Sequence, residues 1–221
     1  MVVRERKAPE AGEEKTRDRI LSAAGDEFAE HGFEGATIRA ITERAGVNLA
    51  AVNYHFRDKS ELYTRVVLDA CSLPTAWRSA TADASASPDE RLRSLIYHFL
   101  RALLDPERPA WKRRLVAREM SEPTEALDVL VEENIRPFRD GFLVPVLNEL
   151  TGGGCTQRQV SLLSASIMGQ CMYYVQSQPI IVRLYPDFKI GNVEILEIAE
   201  HISRFSLAAI AGLNQQARRS S

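Results

Sequence analysis

The stretch that most constrains this chain runs from Gly32 to Leu62, G-F-E-G-A-T-I-R-A-I-T-E-R-A-G-V-N-L-A-A-V-N-Y-H-F-R-D-K-S-E-L. Thr37 has the hydroxyl that an N-cap needs to accept from an unpaired backbone N–H. Ile38, Ile41 and Ala45 then recur at i, i+3 and i+7, one apolar face of a helix. Gly46 follows, where the chain leaves a helix through positive φ. Asn48 caps a second helix expected from Leu49 to about Tyr54. Asp58, Lys59, Ser60 and Glu61 have the spacing of a capping box and open a third helix.

Two short helices joined by a glycine turn form a helix-turn-helix, whose second helix enters the major groove of DNA. Val47, Val52 and Phe56 read as anchors into a core. Ala50 and Ala51 let the helix backbone come close to a groove floor. Asn53 has an amide that pairs bidentately with adenine. Arg39, Tyr54 and Lys59 are expected on phosphates, contacts that fix register without reading bases. His55 reads as a phosphate contact or as a packed helix end. Leu49 reads as a core residue or as an exposed group for a thymine methyl. The caps Thr37 and Asn48 complete the expected DNA-facing set.

The pattern G-F-x-G-A-T-I-R-x-I-x-x-x-A-G-V, followed by Y-H-F-x-x-K-x-x-L, resembles the DNA-binding domain of the TetR family of bacterial transcription regulators. The likeness runs from about Ile20 to Tyr63. Most members of that family have an aromatic residue where this chain has Asn53, and often a polar one where it has Leu49. The resemblance implies a homodimer on palindromic operator DNA and a C-terminal helical domain that binds a small-molecule effector, and the leading reading is a ligand-responsive repressor.

Charge gives the DNA reading little help. The formal net charge is −2. Residues 35–59 hold Arg39, Arg44, Arg57 and Lys59 against Glu43 and Asp58, so any basic footprint is local. The charged start of the chain has no apolar segment of the secretory kind, and no apolar run is long enough to span a bilayer, so a cytoplasmic, membrane-free protein is expected. Cys71, Cys155 and Cys171 are scattered, as are His31, His55, His98 and His201; neither set has metal-ligand spacing. Neither a cofactor loop nor a nucleophile–base order is found, so no metal, cofactor or catalytic residue is expected and the chain reads as a non-enzyme.

The remaining periodicity is helical throughout, and the expected fold is all-α. Residues 1–14 read as an arm, with Arg4, Arg6 and Lys7 as solvated charges or DNA contacts. Residues 15–62 read as the helix-turn-helix domain, starting with a helix from Thr16 to His31, and residues 63–221 as a helical regulatory and dimerisation domain. The helix opened by Asp58 is expected to run to Ser72 and join the two parts. A loop is expected over residues 79–88. Pro137 and Pro145 should kink or split the helical segment between Glu122 and Leu150. Helices near 156–178 and 193–213 are apolar around much of their circumference, which suits an interface. Tyr97, Phe99, Trp111, Arg118, Phe138, Phe142, Met168, Cys171 and Tyr174 are candidates to line an effector pocket, each also readable as core. Arg118 beside Glu119 reads as a salt bridge or a ligand contact. The alternative function is a DNA-binding structural or nucleoid factor without an effector.

Overall fold

The computed structural model describes residues 11–72 and 85–220. Among these no strand occurs, and the elements are α-helices with two π-helical turns. They divide into two compact units, Met1–Cys71 with Pro109–Leu130, and Ser72–Arg108 with Val131–Ser221.

The first unit begins with α1 (Ala11–Gly35), which already includes residues 11–14, expected in the arm. Arg4, Arg6 and Lys7 lie outside the described residues. Helix α1 buries Ile20, Ala23, Ala24 and Phe28 on one stripe. Its regular path ends at Gly32, where φ is 73° and ψ is 178°, a conformation that L side chains rarely adopt. Helices α2 (Ile38–Ala45) and α3 (Leu49–His55) follow, then α4 (Lys59–Ala70). The expected caps form: Thr37 Oγ1 accepts from Ala40 N at 3.1 Å, Asn48 Oδ1 from Ala51 N at 2.9 Å, and Asp58 Oδ1 from Glu61 N at 2.8 Å. Glu61 in turn accepts from the backbone of Arg57 at 3.0 Å, one residue beyond the position expected of a capping box. Gly46 turns the chain with φ 61°.

The same unit contains α6 (Ala110–Ser121) and α7 (Glu125–Leu130). Trp111, Leu115, Ala126 and Leu130 join one apolar cluster with Ile20, Phe28, Ile41, Val52, Phe56 and Leu62. Burying a side chain of this size stabilises by about 1.5–3 kcal/mol. Three helices alone would leave much of α1 and α4 uncovered, and α6 and α7 cover them. The division therefore differs from the boundary expected at residue 62. Val66, Val67 and Ala70 of α4 are also buried in this cluster, so α4 belongs to the first unit along its whole length.

The second unit consists of α5 (Pro88–Leu104), the segment Val131–Leu150, α10 (Gln157–Gln176), α11 (Gln178–Leu184) and α12 (Asn192–Ser220). Ser87 and Glu90 form a capping box at the start of α5, with Pro88 in its first turn. The part of the expected 79–88 loop before residue 85 lies outside the described residues. Neither proline breaks the long segment. A π turn over Val131–Ile135 precedes α8 (Arg136–Phe138), which contains Pro137, and another over Arg139–Leu143 precedes α9 (Val144–Leu150), which contains Pro145. A proline ring collides with the carbonyl four residues back, and a widened turn relieves that collision without ending the helix. Helix α11 is short and contains Pro179 in its first turn, and α12 continues through the polar stretch from Asn214 to Ser220.

Candidate nucleic-acid interface

Helix α3 rests on two apolar anchors. Val52 and Phe56 are each 2 % exposed and face the cluster shared with α1 and α2. Val47 packs against it part-buried. With those anchors inward, Leu49, Ala50, Asn53 and Tyr54 face outward and Ala51 and His55 are half-buried. Leu49 is 56 % exposed, which settles its two readings in favour of the outer face. Tyr54 is 71 % exposed, and its ring meets His55 edge-on at 5.0 Å.

The turn between α2 and α3 is held from behind. Arg19 of α1 donates to the carbonyls of Ala45 and Gly46, the latter at 3.0 Å. These are unpaired carbonyls at a helix end, where a cation is well placed. A Cβ at Gly46 would lie 2.9 Å from Arg19, so glycine serves both φ and this approach. Arg19 carries no local sequence signal, because its partners lie 26 and 27 residues away.

The local basic residues are internally paired. Arg39 donates to Glu43 at 2.9 Å, and that pair raises its pKa. Arg44 reaches Asp26, Glu27 and Glu30 at 3.6–4.0 Å. Arg57 donates to Asp58 at 3.2 Å; the Glu61 backbone N–H, followed by Arg57, holds the Asp58 carboxyl below its ordinary value. Lys59 donates to the Glu34 carbonyl at 3.3 Å and sits 4.8 Å from the centre of the Phe33 ring. The Tyr54 hydroxyl donates to Glu13 at 3.2 Å, and this carboxylate raises the Tyr54 pKa. Exposed pairs of this kind are weak, so a phosphate can replace either partner at little cost. Thr37, Arg39, Asn48, Tyr54 and Lys59 thus hold protein partners in the free chain, while Asn53 stays exposed on α3.

The effector candidates divide between the units. Tyr97, Phe99, Phe138, Phe142, Met168, Cys171 and Tyr174 belong to the apolar cluster of the second unit. There burial pushes the Cys171 thiol up to about 12, so it stays protonated and behaves as an apolar group. Trp111 and Arg118 belong to the first unit. Trp111 is 5 % exposed, and a Cβ on Gly25 would come within 2.5 Å of its ring. The indole fills the space that glycine leaves on α1, so of the two readings of Trp111 its surroundings match the packed core one. Arg118 pairs with Glu122 at 3.5 Å and not with its neighbour Glu119, which points inward and is fully buried.

Two family models match the chain. That described as bacterial regulatory proteins, tetR family, covers residues 20–66, and that described as the C-terminal domain of the HTH-type transcriptional dual regulator CecR covers residues 88–210, more than half of the chain. The chain belongs to the TetR family.

Among TetR-family relatives, it is similar to the HTH-type transcriptional dual regulator CecR of Shigella flexneri, 26 % identical over 171 residues, 73 % of this chain and 76 % of that protein. It is also similar to the HTH-type transcriptional repressor AcnR of Corynebacterium glutamicum, 34 % identical over 104 residues, 46 % of this chain and 48 % of that one. The match thus spans about half the length of the AcnR repressors. The fold resembles that of the fatty acid degradation regulator FadR of Bacillus halodurans, with a TM-score of 0.65 at 18 % identity over 92 % of this chain and 97 % of that chain. It also resembles FadR of Bacillus subtilis in complex with stearoyl-CoA, with a TM-score of 0.63 at 16 % identity over 86 % and 97 % of the two chains. At such identities the likeness is one of fold. No helix among the described residues is long and apolar enough to cross a membrane.

Proposed function

We propose that this protein is a cytoplasmic transcription regulator that binds a pseudo-palindromic operator as a homodimer and releases or engages it in response to a small-molecule effector. The observation that carries the reading is α3: Val52 and Phe56 hold it from within, and Leu49, Ala50, Asn53 and Tyr54 stand on the outer face. Asn53 reads a base, Ala50 and Ala51 allow close approach, and Leu49 contacts a thymine methyl. Thr37, Arg39, Tyr54, His55 and Lys59 position the helix on phosphates; Arg39, Tyr54 and Lys59 exchange their protein acceptors for phosphate oxygens, and Thr37 keeps its cap bond while its own hydroxyl proton is donated. AcnR is named a repressor and CecR a dual regulator, which supports a role in transcription. The apolar cluster around Tyr97, Phe138, Phe142, Met168, Cys171 and Tyr174 supports an apolar effector in the second unit. The reading includes no catalytic residue, metal or cofactor.

Selection of binding sites from random duplex DNA tests this reading. The wild-type chain should enrich an inverted repeat, and Asn53→Ala should relax one position in each half-site, by roughly 1–3 kcal/mol of discrimination. Enrichment of no sequence by the wild type would refute the regulator reading; an unchanged motif with Asn53→Ala would refute only the role of Asn53.

A further inference from the structure

The first unit also contains a set of charges around a cavity, away from the outer face of α3. Where α1 kinks, a cavity of about 220 Å³ opens, lined among others by Phe33, Glu34, Tyr63, Arg118 and Glu122. The kink makes the space: Gly32 has φ 73°, and a Cβ there would meet Arg118 Nη1 at 2.5 Å. The wall formed by Tyr63 and Thr124 is chemically complete. Glu119 Oε2 accepts from the Tyr63 hydroxyl at 2.6 Å, and Glu119 Oε1 accepts from Thr124 N and Oγ1 at 2.9 Å each. Tyr63 and Thr124 thus have their donors spent on Glu119, and the Phe33 and Tyr63 rings, 5.1 Å apart, supply an apolar surface.

The charged groups are not complete. Arg118 has five N–H donors, yet among the described residues its nearest partner is the exposed Glu122 carboxylate at 3.5 Å, beyond a good hydrogen bond. The Glu34 carboxylate has no partner among the described residues; its backbone carbonyl accepts from Lys59. A simple anion entering here would meet Glu34 and Glu122, and a simple cation would meet Arg118. A ligand with both signs leaves neither repelled. At about 220 Å³ the cavity is smaller than the roughly 300–1,000 Å³ of drug-sized sites.

We propose that this cavity binds a small zwitterion, an α-amino acid with an apolar side chain. Its carboxylate takes the Arg118 fork, its ammonium lies between Glu34 and Glu122, and its side chain lies against Phe33 and Tyr63. The site shares no residue with the effector cluster in the second unit, and it borders Lys59, which holds the Glu34 carbonyl and lies over Phe33.

Isothermal titration of the full chain, without DNA, tests it with L-phenylalanine and L-leucine against phenethylamine, which lacks the carboxylate, and N-acetyl-L-phenylalanine, which lacks the ammonium. One of the amino acids should bind saturably, and both truncated probes should bind at least roughly tenfold more weakly, since each gives up a charge-assisted contact. Arg118→Gln and Glu34→Gln should each weaken binding by a similar factor. Glu34 is exposed, so Glu34→Gln decides the matter if Arg118→Gln unfolds. No heat of binding for either amino acid up to millimolar concentration overturns the proposal. So does equal binding of a truncated probe, or unaltered binding by Glu34→Gln.

Discussion

The Tyr63 hydroxyl donates to the Glu119 carboxylate at 2.6 Å across 56 residues of sequence, and Glu119 has no exposed surface at all. This bond ties α4 to α6, and Thr124 closes it from the following turn. Burial, then the Glu119 carboxylate, pushes the Tyr63 hydroxyl well above its ordinary range, so it remains a donor at any working pH. Tyr63→Phe keeps the ring among Phe28 and Phe33 and removes only the donor. It should destabilise by about 1–3 kcal/mol, the cost of leaving a buried charged acceptor short of a partner. Urea unfolding should show a lower midpoint with an unchanged slope. A midpoint equal to the wild type's would mean that Glu119 finds its donors elsewhere.

Gly32→Ala should be costly for two separate reasons. The backbone there is strained for any L side chain, and the added methyl collides with Arg118. We expect a loss of about 1–3 kcal/mol. Gly141→Ala, where a Cβ meets nothing within 4 Å, is the control, and it should leave thermal stability unchanged or raised. Equal unfolding temperatures for the two variants would show that the α1 kink can be straightened.

The legible parts of this fold were those written over a few residues. Thr37, Gly46, Asn48 and Asp58 act through partners within five residues, and the spacing of Ile41, Val52 and Phe56 marks the inner face that leaves Asn53 outside. The extent of the first unit was not legible. Residues 109–130 join it through contacts such as Trp111 on Gly25 and Glu119 with Tyr63, and no local pattern distinguishes their helix from one in the second unit. Pro137 and Pro145 left two outcomes open, a kink or a split, and the segment does not split: proline removes a donor and adds a clash, but whether the helix ends or widens depends on what its neighbours bury, here Phe138, Leu143 and Leu147. Arg19 and Glu13 were missed because a charged residue on a helix looks solvated until its distant partner is known; Glu119 was marked as a charge in need of a partner, but its partners, Tyr63 and Thr124, were not legible.

His98 gives the second unit an acid-sensitive component. Burial, followed by the charge of Arg101, lowers its pKa below the ordinary value of a histidine. The folded chain therefore favours the neutral ring. Above the unfolded pKa neither state binds the proton and the effect is absent. As pH falls below it, the unfolded chain takes up a proton that the folded chain resists, and stability drops. His98→Gln cannot titrate, so it should lose less stability than the wild type between about pH 7.5 and about pH 5.5 in urea titrations. Parallel losses in the two proteins would show that His98 charges freely in the fold.

Association can be tested at positions the protomer itself does not need. On α10, Leu162, Ser166, Gly169 and Tyr173 share a face and are exposed, Leu162 at 60 % and Tyr173 at 46 %. On α12, Phe205, Ala209 and Gly212 share another exposed face, with Phe205 at 60 %. Large exposed apolar side chains on helices mark interaction surfaces, and a two-fold pair of such faces is self-complementary. Gly169 is exposed and a Cβ there meets nothing within 4 Å, so the side chain of Gly169→Arg can leave the helix toward solvent. With helical content unchanged, its effect reports on a partner. We expect light scattering to give twice 24.7 kDa for the wild type and 24.7 kDa for Gly169→Arg and Ala209→Arg, with helical content unchanged. Because both recognition helices must engage one operator together, the two variants should also lose operator affinity while keeping non-specific binding. Dimers in both variants would place the interface on other helices.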